Sequence, residues 1–172
     1  MRLFAGVWPP GGVVDLVAGL RRPPVRGVRW TGPAQWHVTL AFLGEVADEA
    51  VEEVGAELRA TTARVAVPPE ATLGPAVGIL GRSVLYVPVG GLDGLAEEVR
   101  AALGGAGTHV EDRPFTGHLT LARGRGGRPV PRSLAGEDVR ASWAVEEVCL
   151  VASSPGPEGS VYTTLAQATV RR

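Results

Sequence analysis

The stretch Trp36–His37–Val38–Thr39–Leu40–Ala41–Phe42–Leu43–Gly44–Glu45 has a counterpart in Pro114–Phe115–Thr116–Gly117–His118–Leu119–Thr120–Leu121–Ala122–Arg123. The chain has 3 histidines, and two of them open the same run of apolar, Thr, apolar. With this composition the coincidence is expected by chance on the order of once in 2,000 chains, so the repeat is read as chemistry. Side chains alternate between faces along a strand, so each His and the Thr two residues on share one face. Val38 and Leu40, and likewise Leu119 and Leu121, share the other. Each strand therefore buries an apolar face and presents a His–Thr pair opposite to it.

Working outward, Arg2 to Trp8 reads as a first strand, stopped by Pro9–Pro10–Gly11–Gly12. Val13, Val14, Leu16, Val17 and Leu20 mark a short amphipathic helix before Pro23–Pro24. Val25 to Trp30 and Trp36 to Leu43 read as the next strands, with Gly44 as a stop, and a helix is expected from about Ala47 to Thr61. Ala76 to Leu80 and Val84 to Val89 form a hairpin about Gly81–Arg82–Ser83. Leu92, Leu95, Val99 and Leu103 lie on one face of a second main helix, ended by Gly104, Gly105 and Gly107. Phe115 to Ala122, Ser142 to Ala152 and Val161 to Val170 read as strands, and Arg123 to Pro131 as a mobile loop. This order, with each main helix beside a histidine strand, describes an α+β unit of two similar lobes.

A chain of 172 residues suits one domain, and 45% hydrophobic against 20% charged residues excludes a disordered chain. No apolar run approaches the ~18 residues of a membrane span, and the N-terminus lacks a signal-peptide layout, so a cytoplasmic protein is expected. The single cysteine, Cys149, excludes an intramolecular disulfide and sits in an apolar run as core. All 17 basic residues are arginine, which excludes lysine nucleophiles and Schiff bases. The net charge of −1 hides a segregation. Leu16 to Gly44 holds Arg21, Arg22, Arg26 and Arg29 with no acid; Arg113 to Gly136 holds Arg113, Arg123, Arg125, Arg128 and Arg132, again with no acid. Either acids merely collect on exposed helices, or the two positive windows converge on one anionic ligand. Each window carries one of the paired histidines.

Two histidines facing one cleft can divide labour, one neutral and taking a proton from water, the other charged and donating to a leaving oxygen. Threonine hydroxyls can donate to non-bridging phosphate oxygens, and an arginine can offset the charge that builds there. The set fits phosphodiester cleavage without a metal, since neither motif brings an adjacent carboxylate or cysteine. No cofactor is implied. His109 lacks the following Thr and reads as a structural histidine, and Trp36 falls on the core side of its strand. The run Arg123–Gly124–Arg125–Gly126–Gly127–Arg128 is either a flexible basic clamp on a phosphate backbone or a solvated turn, and it lacks the Lys–Ser/Thr ending of a P-loop.

Paired H-x-T-apolar motifs about eighty residues apart resemble the two-histidine phosphoesterase superfamily. Within it, the chain is similar to the bacterial RNA 2′,3′-cyclic phosphodiesterases, also described as 2′-5′ RNA ligases. Arg2–Leu3–Phe4–Ala5 resembles the family's opening strand, the two quoted stretches its motifs, and Ser153 and Tyr162 its closing segment. Gly117 departs from the proline often found before the second histidine. The resemblance implies a bilobal fold, residues 1–172 forming one domain of two pseudo-symmetric lobes. Two antiparallel sheets would line a central groove, with helices on their outer faces. It implies metal-independent hydrolysis of an RNA 2′,3′-cyclic phosphate to a 2′-phosphate, with His37 as general acid and His118 as general base. Thr39, Thr120 and Arg123 would bind the phosphate, and Phe42 would stack on the terminal base. An offset of five places Phe42 and Arg123 on the wrong face of an ideal strand, so a bulge or strand end must redirect them. The expected partners are RNA 3′ ends or small cyclic nucleotides, bound by a monomer away from membranes. Three alternatives remain: 2′-5′ ligation, hydrolysis of another cyclic or 2′-5′-linked nucleotide, and a non-catalytic module that binds RNA ends.

Overall fold

The computed structural model describes residues 1–109 and 112–170. Its strands are β1 (Arg2–Val7), β2 (Val28–Trp30), β3 (Val38–Glu45), β4 (Glu70–Leu73), β5 (Gly78–Leu80), β6 (Val84–Gly90), β7 (His118–Gly124), β8 (Ala141–Ala144), β9 (Glu147–Gly156) and β10 (Gly159–Thr169). Three α-helices accompany them: α1 (Gly11–Ala18), α2 (Val51–Ala63) and α3 (Asp93–Leu103). The strands make two antiparallel sheets, one in the order β10-β9-β1-β3, the other β2-β7-β6-β4-β8 with β5 also paired to β6. This is the α+β, two-sheet architecture expected, and each histidine strand belongs to a different sheet. α2 packs on β9 and β10, and α3 on α2 and β3. Among the described residues no helix is long and apolar enough to cross a membrane.

Alternation along β1 explains how the first sheet serves two environments. Leu3, Ala5 and Val7 enter a continuous buried cluster with Val38 and Leu40 of β3, Val87 of β6 and Leu119 of β7, so one core runs across both sheets. Phe4, on the opposite face, joins Cys149 and Val151 in a smaller cluster capped by Trp8, Phe42 and Tyr162. Cys149 is core, as expected. Burial and the neighbouring Glu147 carboxylate push its thiol up to about 12, so it stays protonated.

The elements differ from the sequence reading in three informative places. The apolar run from Ser142 to Ala152 is two strands, not one: β8 pairs with β4 in one sheet and β9 with β1 and β10 in the other. The exposed pair Glu146–Glu147 lies at the crossing between sheets, between the half-buried alternation of β8 and the buried run Val148–Val151 of β9. Gly44 does not stop its strand. It adopts φ +72°, and a Cβ there would come within 2.7 Å of the Thr108 hydroxyl, so glycine lets β3 run on to Glu45. The helix expected from Ala47 begins at Val51, because Asp48–Ala50 forms a 3₁₀ turn.

Candidate active site

The groove between the sheets has a volume of about 610 Å³ and is lined by His37, Thr39, His118 and Thr120, with Phe42 and Arg123 on the same wall system. All six residues singled out in the two motifs therefore come together. Their alignment depends on a matched pair of backbone irregularities. On β3, Thr39 pairs with Gly6 and Ala41 with Ala5, which leaves Leu40 as an extra residue; a second shift leaves Leu43 out, so that Phe42 faces Phe4. On β7, Thr120 pairs with Tyr86 and Ala122 with Leu85, which leaves Leu121 as the extra residue. A bulge immediately after each Thr reverses the alternation and returns Phe42 and Arg123 to the groove. The extra residues are held from outside the strand pair: Arg100 donates to the Leu40 carbonyl at 2.9 Å, and the Thr31 backbone N–H to the Leu121 carbonyl at 2.9 Å.

The two imidazoles are anchored in the same way. His37 Nδ1 lies 2.8 Å from the Gln35 carbonyl and His118 Nδ1 lies 2.7 Å from the Thr116 carbonyl, each two residues back along the chain. A carbonyl only accepts, so Nδ1 carries the proton in both rings, and Nε2 is left as the edge available for proton transfer. His37 Nε2 is 3.1 Å from the Thr39 hydroxyl.

Their surroundings differ. His37 is packed among three rings, stacked on Phe4 at 4.7 Å and flanked by Tyr162 at 4.9 Å and Trp8 at 5.2 Å. His118 has Tyr86 edge-on at 6.1 Å. Removal from water, together with the nearby positive charges of His118 and Arg123, lowers the His37 pKa to about 4, against a raising contribution from the Gln35 carbonyl. His37 is thus neutral in the free groove at pH 7.

The groove is also electropositive. Arg2, Arg29 and Arg123 line it, and no carboxylate is among its described lining residues. Arg29 of β2 lies directly across from Arg123 of β7, one arginine from each acid-free window. Like charges directly opposed in a sheet cost stability, and an anion between them relieves that cost. Among the described residues no group of three or more His, Cys, Asp or Glu side chains is placed to hold a metal ion.

Several neighbours were not singled out from the sequence. Phe4 and Trp8 complete the aromatic enclosure of His37, Gln35 orients it, and Arg29 joins Arg123. The acid-free window that holds Arg29 is the signal the sequence offers for it; contacts between distant strands carry none. Trp36 is core, as expected, and its indole N–H donates to the Thr31 hydroxyl at 3.0 Å. That hydroxyl lies 2.7 Å from the Thr120 carbonyl and 2.9 Å from that of Leu121, so the first motif is tied to the second through Thr31. His109 packs edge-on against Phe42 at 5.0 Å, and the Arg2 guanidinium lies 4.9 Å above the same ring. At Gly117 a Cβ would collide with the Val89 carbonyl oxygen, which explains glycine at that position. The Arg123 to Pro131 segment contains a 3₁₀ turn at Arg125–Gly127, and its backbone is pinned by bonds from Arg125 to Gly27 at 2.7 Å and from Val130 to Arg82 at 2.9 Å.

This fold and groove agree with what comparison finds. Residues 15–157 match the family model of the 2′-5′ RNA ligase superfamily, and the chain belongs to that family. It is 34% identical to a Thermus thermophilus protein named RNA 2′,3′-cyclic phosphodiesterase, over 99% of this chain and 91% of that one. The crystal structure of TT0787 of Thermus thermophilus superimposes with a TM-score of 0.84 at 32% identity, covering 99% of this chain and 98% of that one. The structure of Escherichia coli LigT complexed with 3′-AMP gives a TM-score of 0.77 at 28% identity, covering 99% and 98%.

Proposed function

We propose that this groove hydrolyses 2′,3′-cyclic phosphate ends of RNA to 2′-phosphates by acid–base catalysis shared between His37 and His118, without a metal. The observation that carries this reading is the convergence of two carbonyl-anchored histidines, two threonines and the opposed Arg29–Arg123 pair on one groove free of carboxylates. The names of the curated relatives point to the same activity. His118 Nε2 takes a proton from water as its oxygen attacks phosphorus. The P–O3′ bond breaks, and His37 Nε2 delivers a proton to the departing O3′. The product keeps the phosphate on O2′ with a free 3′-hydroxyl, and the two histidines exchange protonation states. Thr39, Thr120 and Arg123 hold the non-bridging oxygens, where charge accumulates in the transition state.

His37 acts as the acid only when charged, and the free groove keeps it neutral. An anionic phosphate offsets the Arg123 charge that disfavours a second cation, so substrate binding brings the proton to His37 with it. Phe42 receives the terminal base on the ring face that Arg2 leaves open, or displaces Arg2. Residues 1–172 act in this reading as one domain of two lobes, each giving one histidine, in a monomeric cytoplasmic protein.

Single-turnover hydrolysis of a cyclic-phosphate oligoribonucleotide by His37→Ala and His118→Ala tests the assignment. Each variant loses about 10²–10⁴ in rate while keeping its far-UV circular dichroism, the range general acid–base groups supply. Full turnover by either folded variant contradicts it.

A further inference from the structure

A second cavity of about 1010 Å³ opens beside the catalytic groove. The two share a wall made of Arg29, Thr31, Gln35, Gly159, Ser160 and Tyr162, so the spaces are contiguous. Beyond that wall the second cavity is lined by Arg22, Trp30, Arg125 and Val161, with Glu158 the one carboxylate among its described lining residues. Arg22 is already engaged: its guanidinium donates to the Thr31 carbonyl and lies 5.7 Å from the Trp30 ring and 5.4 Å from that of Trp36. Arg29 and Arg125 differ, because among the described residues neither side chain forms an ion pair or hydrogen bond. The pinned 3₁₀ turn places Arg125 at the rim without the entropy cost of a free loop, through its backbone bond to Gly27 and the positive φ of Gly126 and Gly127.

We propose that this cavity binds the nucleotides preceding the cyclic end in the same RNA strand, so that the protein prefers oligonucleotide over mononucleotide cyclic phosphates. The inference rests on the phosphodiesterase reading and extends it from the reacting end to the substrate class. A groove of about 610 Å³ suits one nucleotide, and the adjoining space is larger still. Its free cations suit phosphodiester oxygens, and its apolar wall, Trp30 with the half-exposed Val161, suits sugar and base surfaces. The arginine-rich run after His118 is accounted for in the same way: Arg123 serves the reacting phosphate and Arg125 the strand behind it.

The test compares kcat/KM, in EDTA, for a cyclic mononucleotide and for a tetranucleotide with the same cyclic 3′ end, using the wild type, Arg125→Gln and Arg125→Glu. The wild type should favour the tetranucleotide by about ten-fold or more. Arg125→Gln should lose most of that preference and Arg125→Glu all of it, with mononucleotide turnover unchanged. The slope of log kcat/KM against log salt should fall by about 0.7 for the tetranucleotide, as for one lost phosphate contact on a single strand. Equal wild-type turnover of the two substrates, or variants that change both alike, overturns the inference and leaves the cavity to a second RNA end or to another ligand. Absence of turnover on both substrates instead overturns the phosphodiesterase reading, and the inference with it.

Discussion

Replacing His37 by Gln should make the protein less sensitive to acid. The folded chain holds this imidazole at about 4, against 6.5 for the free side chain, because Phe4, Trp8 and Tyr162 displace water around it and His118 and Arg123 add positive charge. Between those values the unfolded chain binds a proton that the folded chain does not, so stability rises with pH through this window. The contribution is fully present above about pH 6.5 and is lost as pH falls toward 4. At pH 5 the separation from the unfolded value corresponds to about 2 kcal/mol. Urea unfolding of the wild type and of His37→Gln at pH 7.5 and pH 5.0 isolates this contribution, since the carboxylates and the other two histidines titrate in both proteins. The stability difference should move by about 2 kcal/mol in favour of the variant on going to pH 5.0. Parallel pH profiles for the two proteins would show instead that His37 is not desolvated in the folded state.

Other perturbations probe the remaining parts of the site. Binding of a 2′-nucleotide product should be accompanied by proton uptake and should weaken as pH rises through the bound-state pKa of His37; calorimetry in buffers of different ionisation enthalpy reads the number of protons directly. Arg29→Gln relieves the opposition to Arg123 and should stabilise the free protein by about 0.5 kcal/mol, while reducing the rise in Tm caused by inorganic phosphate. Thr120→Val keeps the shape of the side chain but removes the hydroxyl proposed to donate to the phosphate, and should lower kcat by about 10²-fold with little change in Tm. Gly117→Ala forces a methyl against the Val89 carbonyl and should cost roughly 1–3 kcal/mol in chemical denaturation, through displacement of β7.

The motif strands were legible because each alternates apolar and polar side chains over a buried face, a pattern that also put His37 beside Thr39 and His118 beside Thr120. Parity further exposed the problem with Phe42 and Arg123, and its solution is a bulge at Leu40 and another at Leu121. The paired motifs pointed to the family that the comparisons show and to the enzyme class its curated relatives carry. Less legible was whatever depends on contact between distant strands. Nothing local in Phe4 or Trp8 marks them as walls around His37, and the Glu146–Glu147 pair that interrupts Ser142 to Ala152 does not say which sheet each half joins. The acid-free windows suggested convergence on an anion; that Arg29 and Arg123 stand directly opposite follows only from the pairing of β2 with β7.

The most direct measurement is incubation of the purified protein, in excess EDTA, with a short oligoribonucleotide ending in a 2′,3′-cyclic phosphate, followed by identification of the product's phosphate position. The expected result is a 2′-phosphate formed without metal, with a pH profile falling on both sides of its optimum. A requirement for added metal, a 3′-phosphate product, or saturable binding without turnover would rule out hydrolysis by the two histidines.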